Sequence, residues 1–202
     1  METDKGILRS VDFHDLYEVI QKIFTPYFND GSIMELLKMI KILAEANFQC
    51  YQANMKVIAE RKKKDVDLQV ISNGELTART VGEKRVLSKS EINQYISEEK
   101  HVIGLNREEL KPNSVWLIDD VIYSIGEMLD RLTIEYIKRV DFISKSENAN
   151  QYDMKVLGLK VNSSYEWSWR VERYLKKKLV EINNKGFYEC VDEMRTYEIK
   201  GE

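Results

Sequence analysis

From Ile33 to Ile58 apolar side chains recur every three or four positions, and no proline or glycine interrupts them. Ile33, Leu36, Leu37, Ile40, Leu43, Ala44, Phe48, Tyr51, Met55 and Ile58 form one stripe over about eight helical turns. Ser32 and Glu35 have the spacing of a capping box at its start, and Arg61 to Lys64 place four positive charges at its end. A rod about 45 Å long cannot hide such a stripe by itself. It requires at least one long partner, so the chain is expected to be mainly α.

The remaining segments follow the same logic. Phe13, Leu16, Tyr17, Ile20, Ile23 and Phe24 predict a helix over 12–24, stopped by Pro26 and followed by an Asn29-Asp30-Gly31 turn. Val66, Leu68 and Val70 then alternate with polar residues, Asn73-Gly74 follows, and Leu76 and Ala78 alternate again. That pattern predicts a β-hairpin over about 65–82, because Asn-Gly supplies the positive φ values of a tight turn. Ser88 and Glu91 suggest a second capping box and a short helix over 89–100. Gly104, Asn106 and Pro112 mark a connector, and Asn113-Ser114 open a helix expected over 114–145. The stretch 154–161 reads equally as helix or strand. Tyr165, Trp169, Leu175, Leu179 and Ile182 predict a helix over 164–184, with Gly186 as its C-cap and a short helix around Cys190. The expected architecture is one domain, 1–202: an antiparallel bundle of three long helices (32–61, 114–145, 164–184) plus short helices, with a small β-hairpin insertion.

Composition agrees and narrows the function classes. Only two prolines and nine glycines punctuate the chain, which favours long helices, and the 32% of charged residues suits their solvated faces. The net charge of −3 leaves no basic footprint, so nucleic acid is not an expected partner. The polar start and the lack of a long apolar run point to a cytoplasmic protein with no membrane partner. Cys50 and Cys190 sit in apolar-periodic stretches and read as buried free thiols.

Nucleophilic and phosphate-loop chemistry find no foothold. The histidines are His14 and His101 alone, there is no Gly-x-Ser-x-Gly elbow and no Gly-rich phosphate loop, and two Cys and two His lack zinc-ligand spacing. The carboxylates are better placed. Asp119, Asp120, Glu127 and Asp130 fall on one expected helix, and spacings of seven and three put Asp120, Glu127 and Asp130 on one face, a candidate Mg²⁺ site. Glu127-x-x-Asp130 resembles half of the motif of the MazG-like all-α nucleotide pyrophosphohydrolases, although the facing helix offers Glu35, Glu45 and Glu60 and no paired Glu-x-x-Glu. Arg9 and His14 have the Arg-x4-His spacing of HEPN-type RNA-cleaving domains, at the edge of the chain. Arg170, Arg173 and Lys176 to Lys178 lie beside Trp167 and Trp169, a combination that binds phosphates or stacks bases, against the plainer reading of tryptophans in a core.

Three segments taken together carry a family resemblance: Leu43-Ala-Glu-Ala-Asn-Phe-Gln-Cys-Tyr51, Gly126-Glu-Met-Leu-Asp-Arg-Leu-Thr-Ile134 with Lys138 one turn on, and Gly186 with Arg195 and Tyr197. Their order resembles an uncharacterised bacterial family of helical proteins, whose pattern runs Ala-Asn, Trp-His with acids, Asp-Arg-Leu-Ser-Ile, a Lys, and a Lys/Arg-x-Tyr end. The resemblance covers about a fifth of the chain and implies a helical fold, with Glu45, Asn47, Asp130, Arg131 and Lys138 as the matching polar positions. The family's Trp-His is Tyr51-Gln52-Ala53-Asn54 here, and Asp141 stands where a further His would fall, so a site built on that family's histidines would be lost or changed in this chain.

Long stripes, the projecting hairpin, eleven tyrosines and three tryptophans lead to the expectation of an interaction or assembly module with no resident cofactor, whose partner is a second copy of itself in a homo-oligomer or another protein. The alternatives are a Mg²⁺-dependent nucleotide or nucleotide-sugar pyrophosphohydrolase using Glu127 and Asp130, with Asp120 or Glu45 as a further ligand, or a nucleotide-binding module using Trp167, Trp169 and the nearby Arg170 and Arg173.

Overall fold

The structure, a computed structural model, describes residues 7–98, 124–147 and 149–185. They form five helices: α1 (His14–Phe24), α2 (Asp30–Arg61), α3 (Leu68–Glu98), α4 (Ile125–Ser146) and α5 (Gln151–Lys185). The described residues contain no strand. The mainly-α expectation holds, and the β-hairpin over 65–82 is overturned.

The reason for that correction lies in two features of α3. Asp67 caps it: its carboxylate accepts from the N–H groups of Gln69 and Val70, and its own N–H donates to Glu60 at the end of α2. The face it buries is then Gly74, Ala78, Val81, Arg85, Ser88, Ile92 and Ile96, spaced four and three residues apart. Half of that stripe is small or polar, so apolar periodicity could not reveal it. Gly74 is not in a turn. A Cβ there would stand 2.5 Å from Val57 Cγ2, so the glycine lets α3 approach α2 closely. Leu68, Val70 and Leu76, which supplied the strand-like alternation, are exposed.

Other boundaries shift for local reasons. α2 starts one turn early because Asn29, not Ser32, is the cap; its Oδ1 accepts from the Ser32 N–H at 2.9 Å. The expected helix over 89–100 is the second half of α3, and Ser88 is buried inside it. The helix expected over 114–145 is seen as α4 from Ser124, and 114–123 lie outside the described residues. The ambiguous 154–161 stretch is helical and extends the 164–184 helix back to Gln151. Gly186 and the short helix around Cys190 lie outside the described residues.

Among the described residues, four long helices rather than three thus make the bundle, as two antiparallel hairpins. In α2/α3, Tyr95 reaches the Ser32 carbonyl at one end and Arg61 pairs with Glu75 at the other. In α4/α5, Arg131 stacks on Trp167 and Lys160 on Phe142. The hairpins join where α4 meets both α2 and α3. Gly126 is the close contact there: a Cβ would stand 2.5 Å from the Lys89 carbonyl, and its N–H donates to Asn93 Oδ1. α1 and the strap before it close the side, with the Tyr136 hydroxyl donating to the Asp12 carbonyl. Phe24, Phe28, Ile40, Leu43, Ile92, Leu129 and Leu175 form the shared apolar core. Each contributes about 1.5–3 kcal/mol by leaving water. No described helix is long and apolar enough to cross a membrane.

Candidate functional site

The most distinctive chemistry sits at the junction of the hairpins. Asn47 projects from α2 on the face that also carries Ala46 and Cys50, and is 3% exposed. Asp130 and Thr133 come from α4, and Arg85 from α3. Asn47 Nδ2 donates to Asp130 Oδ1 at 2.9 Å and also contacts Thr133 Oγ1, which itself donates to the Asp130 carbonyl at 2.8 Å. Arg85 Nη2 donates to both carboxylate oxygens of Asp130, at 3.0 and 3.2 Å. Burial opposes the charge on Arg85, but Asp130, with a smaller effect of Cys50, outweighs it and holds the guanidinium pKa above its ordinary value. Asn47 Oδ1 is the exception in this network: it is buried and has no hydrogen-bond partner.

Beside the network lies a cavity of about 130 Å³, lined by Asn47, Cys50, Tyr51, Asn54, Arg85, Ile134 and Ile137. Cys50 is buried and unbridged. Farther along α4, Tyr51 donates to Asp141 at 2.8 Å, and Lys145 pairs with the same oxygen. Burial and this bond raise the Tyr51 pKa, so the phenol stays neutral. A second, wider groove of about 310 Å³ separates α1 from α4 and α5. Arg139 stacks there on the rings of Tyr136 and Tyr165, near Glu172, whose carboxyl is pushed up by burial.

The candidate residues separate accordingly. Asn47 and Asp130 meet, but Asp130 is committed to Arg85. Glu127 is the capping-box carboxylate of α4, accepting from the Ser124 N–H at 3.1 Å. Asp120 lies outside the described residues, and no three His, Cys, Asp or Glu gather as a metal ion would require among the described ones. Glu45, two positions from Asn47, points away from it; it is exposed, and its charge adds to the burial that lifts Tyr17 to about 12. Arg131 and Lys138 both pair with Glu135, a 3% exposed carboxylate that sequence reasoning misses. Their positions, four before and three after Glu135, are the available signal. His14 is exposed and pairs with Glu18, and Arg9 is exposed.

Trp167 and Trp169 are not core residues. They are 39% and 55% exposed, and stack with arginines: Arg131 and Arg170 on Trp167, Arg173 on Trp169. Arg85, Thr133, Glu135 and Asp141 are the functional-looking residues that periodicity misses, because a buried polar side chain on a helix reads as a surface one.

Among the described residues, fold and site define two docked helical hairpins, with a buried ionic junction and an aromatic–arginine outer face. No family description, curated protein or solved structure matches the chain.

Proposed function

We propose that this chain is an assembly module that pairs with a second copy of itself through the first turns of α5. One observation carries the reading. From Gln151 to Ser163 no residue is buried, yet Tyr152, Met154, Val156, Leu157, Leu159 and Val161 are apolar. Leu157 and Val161 continue the inward stripe of Ser164, Ser168, Val171 and Leu175, whereas Tyr152, Val156 and Leu159 face the other way. A helical arm apolar on two faces and buried on neither gains its stability from a partner. Gly158 lies at its middle with nothing within 4 Å of where a Cβ would stand. A mid-helix glycine there serves no packing inside the chain, but lets two backbones approach at a two-fold crossing, the commonest symmetry of homo-oligomers. Tyr165 and Trp169, seven and eleven positions after Gly158, continue the Gly158 side of the helix with residue types enriched at interfaces.

The Mg²⁺-hydrolase alternative draws no support from Glu127 and Asp130, whose carboxylates already serve a helix cap and an ion pair. Light scattering on the eluting full chain tests the assembly reading. A dimer, twice 23.8 kDa, is expected at micromolar concentration, and Leu159→Asp or Gly158→Arg should give monomer with an unchanged far-ultraviolet circular dichroism spectrum. A wild-type chain that runs as monomer at that concentration rules it out.

A further inference from the structure

Two helix faces line the groove between α1, α4 and α5. Leu132, Tyr136, Arg139 and Ile143 lie three or four positions apart on α4, and Tyr165, Ser168 and Glu172 do so on α5. The Tyr136 hydroxyl is pinned to the Asp12 carbonyl, and the Arg139 guanidinium lies over the rings of Tyr136 and Tyr165, 5.1 and 4.2 Å from their centres. Stacking engages the face of a guanidinium and not the N–H groups at its edge. Those of Arg139 have no acceptor among the described residues. Glu172 is the counterpart. Its half-buried carboxylate has no donor among the described residues, and the nearby charges of Lys176 and Arg139 do not offset the burial that lifts its pKa. A guanidinium and a carboxylate thus share one groove, near enough to feel each other yet not paired. Ser168 is a third open group. It is 6% exposed and lines the groove, and its hydroxyl has no hydrogen-bond partner yet is not sealed from solvent, which it meets there.

We propose that this groove binds a free α-amino acid with an aliphatic or aromatic side chain. The ligand's carboxylate takes the Arg139 edge, whose planar fork offers two parallel N–H donors. Its ammonium donates to Glu172 and to the Ser168 hydroxyl, and the exposed Asp15 adds negative charge at the rim. Its side chain lies against Leu16, Val19, Leu132, Val140 and Ile143. Charge complementarity selects the zwitterion. A simple carboxylic acid would leave Glu172 without a partner, and a simple amine would leave Arg139 without one. The volume of about 310 Å³ is at the low end of small-molecule sites, which suits a ligand of this size.

Thermal-shift and titration-calorimetry measurements on the full chain, with L-leucine and L-phenylalanine as probes, test the assignment. One site per chain is expected, and Tm should rise by roughly 5–10 °C at a concentration about a hundredfold above Kd. Isocaproate, which lacks the ammonium, and isoamylamine, which lacks the carboxylate, should bind at least about tenfold more weakly than leucine. Arg139→Gln should weaken leucine binding by a similar factor. So should Glu172→Gln, a change that relieves the burial of a charge and therefore does not unfold the chain. No heat and no Tm shift with either probe at about 10 mM overturns the proposal. Equal affinity for isocaproate and leucine does so too, as does unchanged affinity in both variants. Tyr165 also borders the face proposed to pair, so the same titrations are run on the Leu159→Asp chain, which should bind as the wild type does. A monomeric wild type that binds leucine leaves this site standing, and a dimer that binds neither probe leaves the assembly reading standing.

Discussion

Asp130 is the residue on which the junction turns, and Asp130→Asn isolates its charge while keeping its shape. In the wild type its side chain is 12% exposed and that of Arg85 is 24% exposed, so the pair is neither a surface bridge nor sealed from water. Breaking a fully buried pair costs about 3–5 kcal/mol, because the surviving charge is stranded. The partial access of Arg85 to solvent discounts this toward the lower bound, since exposed pairs contribute about 1 kcal/mol or less. The amide oxygen introduced by the substitution would still accept from Asn47, so no further hydrogen bond is lost. The expected loss is about 3 kcal/mol, or about 6–12 °C in Tm for a chain of this size. Urea unfolding followed by circular dichroism and by tryptophan fluorescence measures it. The pair Arg85→Met with Asp130→Leu should recover most of the loss, because no charge is then left without a partner. A cost under about 1 kcal/mol for Asp130→Asn, or a double variant no more stable than the single, would refute the placement of a desolvated ion pair at this joint.

Glycine substitutions should divide by what a Cβ meets. Gly126→Ala should destabilise by about 1–3 kcal/mol, because the obstructing atom is the Lys89 carbonyl of the backbone, whereas Gly82→Ala, with open space around it, should stabilise by about 0.5–1 kcal/mol in chemical denaturation. Gly74→Ala should destabilise alone but less so on a Val57→Ala background, a coupling that a double-mutant cycle reads directly. Glu172 gives a pH test. Its folded-state pKa is raised by burial, so the folded chain binds that proton more tightly; its contribution is fully present below the ordinary value of 4.5 and is lost as pH rises through the raised one. Glu172→Gln should therefore add stability at neutral pH and none well below 4.5, as compared in paired guanidinium titrations.

How far the sequence can be read depends on which residues carry each stripe. α1 and α2 are legible because Ile, Leu and Phe mark their buried faces, and Pro26 and Asn29 mark the turn between them. α3 is not, because its buried face runs through Gly74, Ala78, Arg85 and Ser88, while its exposed face carries Leu68, Leu76, Val86 and Leu87. Tertiary packing overrides both the alternation and the Asn-Gly turn preference. Asp67 is the local sign that a helix begins there. At the site, Asn47 and Asp130 stand out in the sequence, but their partner Arg85 lies just past the segment whose alternation suggests strands. Thr133 and Glu135 require a view of which face of α4 is buried, and no single-helix pattern gives that.

The position of the ionic junction has a structural consequence of its own. Within each hairpin the register is set by a short turn, but α4 meets α2 and α3 without one. Apolar stripes of Ile and Leu are similar to themselves a heptad away, so greasy contact alone permits α4 to slide by two turns at modest cost. The Asp130 carboxylate cannot slide: displaced, it would face apolar side chains and leave Arg85 and Asn47 without partners. The charge pair therefore selects one docking of the hairpins even where hydrophobic residues in its place would give equal stability. The Arg85→Met, Asp130→Leu chain tests the distinction. It should retain near wild-type denaturation midpoints, yet show broadened amide resonances along α4 and faster hydrogen exchange there. Sharp resonances and unchanged exchange in that variant would mean that Gly126 against Lys89 and Asn93 fixes the register alone.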